Sequence, residues 1–243
     1  MTATDTRMPA RHPVARRIHR EKAEEDAFIA RLLELALWAR NHSRAITTAV
    51  IVLVAAVALG IYYRNSRAAI ANRATAELAQ LQQTAASGNR ALAIRELESF
   101  VNRFSGAPAA REGRVLLGQL QLEEGHAEQA IQALRPVADD LEDPLGAPAA
   151  LLLGAAYEAA GRSGEAERVY LRVADQARFA FQRQDALYAA ARIRQDRGDY
   201  AGAVALYDRL LGLLPADAPE RNIFEMRRAE AAARAEAPPA PGA

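Results

Sequence analysis

From Ala45 to Tyr63 the chain reads AITTAVIVLVAAVALGIYY, nineteen residues without a charge. A helix covering a soluble core has one apolar stripe, whereas this run is apolar all round. At about 1.5 Å per residue it covers roughly 28 Å, close to the hydrocarbon thickness of a bilayer. The pattern predicts a transmembrane helix over 45–63. Trp38 precedes it and Tyr62 and Tyr63 close it, the interfacial places where amphipathic rings settle. Arg40, Arg44, Arg64 and Arg67 bracket it and can reach the headgroups. Thr47 and Thr48 can return their hydroxyls to carbonyls a turn earlier. With 44 polar residues ahead of the run, an uncleaved anchor is expected, not a cleaved signal peptide. Before it, Ala27, Phe28, Leu32, Leu35 and Trp38 recur at helical spacing. They predict an amphipathic juxtamembrane helix over 23–44, at or entering the membrane surface. Residues 1–22 are polar, basic and aperiodic, and are expected to be a disordered tail.

Beyond the apolar run the pattern becomes periodic, and residues 64–234 read as one repeat domain. Gly88, Gly125, Gly161 and Gly198 are separated by 37, 36 and 37 residues. Five residues after each comes Ala93, Ala130, Ala166 or Ala203, and four further on the large Leu97, Leu134, Tyr170 or Tyr207. Gly118, Gly154 and Ala191 stand seven before the last three glycines. The spacing predicts four helical hairpins. Glycine lets the chain turn with positive φ, small residues let helices A and B approach, and the large residue fills the gap beside them. Stacked hairpins should then bury a continuous core. Pro and Gly in FSGAP, EDPLGAP and LPADAPE mark the turns between repeats. Residues 219–234 have helix-start chemistry and an Arg-rich face suited to a capping helix, and 235–243 read as a disordered tail.

These residues resemble the tetratricopeptide repeat family. The best match is LLLGAAYEAAGRSGEAERVYLRVA, with Leu153, Gly154, Tyr157, Ala166 and Tyr170 in register, and QDRGDYAGAVALYDRLLGLLP repeats its second half with Ala203, Tyr207 and Pro215. The family's early Trp is replaced by Arg114, Ala150 and Leu187. The first repeat is degenerate, its helix A falling over 74–86 and continuing the membrane helix. The resemblance implies an all-α fold: a transmembrane helix, an α-solenoid of about four hairpins and a capping helix. It implies a concave partner-binding face on the A helices, made by Gln119, Leu122 and Glu123, then Leu151, Ala155 and Glu158, then Tyr188, Arg192 and Gln195. Tyr188 is either an exposed anchor or a packed core residue. The Lys/Asn carboxylate clamp of chaperone-binding repeats is missing.

Composition narrows the function. Apolar residues are 51% but aromatics only 6%, so Ala, Leu and Val carry the hydrophobic weight of an all-helical chain. Net charge is +1, which gives no reason to expect nucleic acid. The first 44 residues carry nine basic and six acidic side chains, and those from Arg64 onward 22 and 24. That bias keeps the N-terminus cytoplasmic and exports the repeats. There is no cysteine and, past Lys22, no lysine, so thiol chemistry, a phosphate-loop lysine and a Schiff base are excluded there. His12, His19, His42 and His126 are scattered. Asp139, Asp140, Glu142 and Asp143 lack the spacing of a calcium loop and read as a solvated turn. No enzyme activity, cofactor or metal is expected.

The layout of basic tail, amphipathic helix, single span and membrane-proximal repeats resembles the bacterial family of the ancillary Sec translocon subunit. That implies an inner-membrane protein with periplasmic repeats, in contact with translocon subunits, periplasmic chaperones or exported chains. An envelope-assembly scaffold for cell division, cytochrome maturation or lipopolysaccharide export is the alternative, as is an accessory subunit of a membrane enzyme complex.

Overall fold

The computed structural model describes residues 43–236 together with the isolated positions Ala30 and Trp38. The expected tail over 1–22, nearly all of the juxtamembrane helix over 23–44, and residues 237–243 lie outside the described residues. The described chain is helical throughout. Its helices are α1 (Ser43–Ala86), α2 (Arg90–Arg103), α3 (Pro108–Glu123), α4 (Ala127–Ala138), α5 (Gly146–Ala159), α6 (Ser163–Gln176), α7 (Ala180–Asp196), α8 (Tyr200–Leu213) and α9 (Arg221–Glu236). The chain divides into two compact units after Ser66, within α1.

In the first unit the helix displays its apolar side chains all round. Ile51, Val52, Leu53, Val54, Val57, Leu59, Ile61, Tyr62 and Tyr63 are each more than half exposed. The Thr48 hydroxyl donates to the Arg44 carbonyl one turn earlier at 2.9 Å, as Thr75 and Thr84 do to Ala71 and Gln80. Among the described residues no helix is long and apolar enough to cross a membrane. The run predicted over 45–63 opens, however, at Ala45, Ile46, Ala49 and Val50, whose side chains lie outside the described residues.

The second unit is the hairpin array. Each hairpin turns on a glycine: Gly88, Gly125, Gly161 and Gly198 have φ of 87°, 79°, 73° and 79°. That conformation costs an L side chain about 1 kcal/mol or more, which is why the four recur. Helix starts have local causes too. Asn89 and Asp199 cap α2 and α8 with side-chain oxygens that accept from Leu92 and Gly202. Pro108 opens α3 where its missing N–H has no partner to lose. Successive A helices touch one another, α3 with α5 and α5 with α7, while successive B helices make no comparable contact.

Two details refine the expectations. Buried side chains gather in two clusters that interleave across α3 and α4: one of α1, α2 and α3 takes in Ala133 of α4, and the other runs from α4 to α9 with Val115 and Leu122 of α3 packed against it. Gly118 of α3 lies against Leu134 of the second cluster, and the neighbouring Gln121 is buried and polar, its amide donating to Glu98. The C-terminal boundary also moves, because α9 continues to Glu236. Its outer face, expected to be Arg-rich, also leaves Ile223 and Met226 exposed.

The first hairpin departs from the later ones at the small position of helix A. Leu81 occupies the place held by Gly118, Gly154 and Ala191 later in the chain. In the later hairpins the small residue lets the large side chain of helix B press against backbone. A Cβ at Gly118 would lie 2.7 Å from Leu134 Cδ2, and one at Gly154 2.9 Å from Tyr170 Cδ1. Leu81 is buried in the same cluster as Ala74, Ala93 and Leu97. A cavity of about 960 Å³ opens there, lined by Glu77, Gln80, Thr84, Glu96 and Arg103.

Candidate partner-binding face

The residues expected on the working face project from α3, α5 and α7, the A helices that touch across repeats. Their exposure varies. On α3, Gln119 and Glu123 are exposed and bond to one another at 3.1 Å, while Leu122 is half-buried against the core. On α5, Leu151 is half-buried against the same cluster, Ala155 is half-buried, and Glu158 is drawn inward. On α7, Tyr188 and Arg192 are exposed and Gln195 is half-buried.

Two of these polar residues already serve the fold. The Tyr170 hydroxyl donates to Glu158 Oε1 at 2.8 Å, and the Tyr207 hydroxyl to Gln195 Oε1 at 2.9 Å. In each case the acceptor on helix A lies twelve residues before the tyrosine on helix B. One hairpin earlier the same pair is Leu122 and Leu134, apolar on both sides. Helices A and B are therefore matched in kind: tyrosine with an acceptor, or leucine with leucine. Glu158 also pairs with Arg192 of the next repeat, and Arg192 with Asp196 at 3.7 Å. Burial, with Glu158 beside it, pushes the Tyr170 phenol far above its ordinary range. Burial raises Tyr207 as well.

Tyr188 combines its two expected roles. It is 37% exposed, and its ring packs edge-on against Phe224 of α9 with centroids 5.7 Å apart. A cavity of about 210 Å³ beside it is lined by Arg192, Gln195, Tyr207, Arg227 and Arg234. Structure thus brings Tyr188, Arg192 and Gln195 together at one end of the face, with Gln119, Leu122 and Glu123 on an earlier repeat. The contribution of α9 was not expected. Phe224 and Ala231 dock on the array as helix A of a further repeat would, and Phe224 was the visible signal. The face offers an aromatic edge, guanidinium groups and amides, suited to holding a polypeptide. Among the described residues no group of three or more His, Cys, Asp or Glu is gathered to hold a metal. Asp140 and Asp143 instead accept from backbone amides of their own turn.

A tetratricopeptide repeat-like domain model matches residues 36–228, most of the chain. The chain belongs to this family. Its members' repeats hold other proteins and are not typically catalytic. No curated protein matches it. Among solved structures it is similar to nearly identical TPR-like repeats from Podosopora anserina, at 21% identity and a TM-score of 0.55, covering 67% of this chain and 87% of that one. A variant of the same repeats matches at 20% identity and a TM-score of 0.55, covering 67% and 86%. At these identities the likeness is one of fold.

Proposed function

We propose that this TPR-like protein is a membrane-anchored scaffold that holds protein partners in the bacterial envelope. The observation that carries the reading is α1. Its surface from Ile51 to Tyr63 is apolar and uncovered all round, and the helix continues unbroken to Ala86 in the first hairpin. Thirteen uncovered residues of this kind need an apolar surrounding, and with the six from Ala45 to Val50 the run reaches bilayer length. The charge bias supports an N-terminus in the cytoplasm and repeats in the periplasm. The layout supports the Sec translocon as the membrane partner, with periplasmic chaperones or exported chains on the A-helix face.

Topology is tested by fusing alkaline phosphatase after Glu236. Activity there, with a cytoplasm-only reporter dark at the same point, is the expected result. The reverse pattern overturns the assignment. Partner identity is tested by affinity capture from solubilised membranes. Recovery of translocon subunits supports the secretion reading, and recovery of envelope-assembly components without them replaces it with the assembly scaffold.

A further inference from the structure

A second site lies on the other side of the hairpins. The B helices α4 and α6 bound a cleft of about 310 Å³ whose floor is the buried pair Leu153 and Tyr157 of α5. Arg135, Arg168 and Arg172 line it together with the carboxylates Asp139 and Glu165, and Arg162 lies over the Tyr157 ring at 4.8 Å.

The acids nearby are engaged by two arginines, Arg162 and Arg172. Glu165 accepts from Arg162 Nε at 3.1 Å and Nη2 at 2.9 Å, and Glu128 pairs with the same guanidinium at 3.5 Å. Asp139 pairs with Arg172 at 3.7 Å, and Arg172 also donates to the Ala138 carbonyl at 2.8 Å. Among the described residues neither Arg135 nor Arg168 forms an ion pair within 4.0 Å, though Arg168 shares the cleft with Glu165 and attracts its carboxylate at longer range. Arg135 donates to the Tyr157 hydroxyl oxygen at 3.3 Å, and Arg168 to the Gly164 carbonyl at 3.3 Å. Four guanidinium groups therefore face three carboxylates, a surplus of one positive charge. Because Tyr157 accepts from Arg135, its own proton is free to donate.

We propose that this cleft binds a phosphate-type oxyanion, held by Arg135 and Arg168 with Tyr157 as a third donor. Guanidinium groups grip such anions through paired N–H bonds that a water-filled cleft leaves unmade. The volume is near the lower end of small-ligand sites, roughly 300–1,000 Å³, and suits a phosphate with a small substituent. Free phosphate and a phospholipid headgroup share that chemistry.

The test is calorimetric titration of the full chain in nonionic detergent at low ionic strength, with inorganic pyrophosphate as probe. Saturable binding should weaken about tenfold or more in the Arg135→Gln/Arg168→Gln variant, the loss of two charge-assisted contacts. It should be unchanged in Arg95→Gln/Arg178→Gln, which removes the same charge elsewhere on the surface. Micelles doped with phosphatidylglycerol are the headgroup arm: displacement of pyrophosphate by them where soluble glycerol phosphate has no effect assigns a lipid, and displacement by the soluble ester alone assigns a free anion. Both variants should melt with the wild type, since all four arginines are exposed. Absence of saturable binding, or an equal loss in both variants, overturns the site.

Discussion

At Gly118 an added methyl group would fall 2.7 Å from Leu134 Cδ2, and Leu134 is fully buried with no room to withdraw. Gly118→Ala should therefore destabilise the array by about 1–3 kcal/mol through overpacking. Ala166→Leu, at a position with no exposed surface, should do the same. Gly164→Ala meets open space in the first turn of α6, so it should be neutral or stabilise by up to about 1 kcal/mol. Thermal melts of the three variants rank them, and equal effects would refute the packing account. Tyr170 adds a pH dependence. Burial raises its folded pKa above the unfolded value, so the folded state keeps the proton longer. The associated stability is whole below about pH 10 and is lost as pH climbs from there toward the folded value. Tyr170→Phe should cost about 1 kcal/mol at neutral pH and flatten the alkaline decline in melting temperature. An unchanged alkaline slope would contradict it. The turn glycines and interhelix small residues were legible in the sequence because one φ or one Cβ decides each. The partnerships of Glu158 and Gln195 were not: a helix-face pattern places a residue, but not what reaches it from across a turn.

Among the elements, α1 behaves differently from every later A helix. The sequence showed a degenerate first repeat, and Leu81, which stands where the other hairpins are small, is buried in the first cluster. What periodicity could not show is which buried side chains gather into which cluster. Repeat spacing reports that hairpins stack, not whether side chains interlock across each junction. The grouping has a measurable consequence. Leu81→Ala should cost about 2–5 kcal/mol, and the loss should fall on the first cluster. Amide exchange should quicken in residues 67–86 and in α2 and α3 while α5 to α8 keep their protection. Uniform quickening through α8 would show a single cooperative core.

For the molecule as a whole, fold class and the apolar run were legible because period and length are properties of the chain itself. The working face was legible only as positions. Which of them are free depends on neighbours from other repeats, as Glu158 and Arg192 show by pairing across a repeat boundary. Tyr188, exposed and resting on Phe224, is the aromatic residue of the candidate face. Tyr188→Ala should cost about 2 kcal/mol or more of partner affinity with little change in melting. The central claim is that the A-helix face holds the partner, and photocrosslinking in native membranes tests it most directly. A photoreactive residue placed at Gln119, Leu151 or Tyr188 should give the same discrete adduct. The exposed B-helix positions Gln132 and Ala205 should give none. Adducts formed from Gln132 and Ala205 but not from Tyr188 would contradict the account.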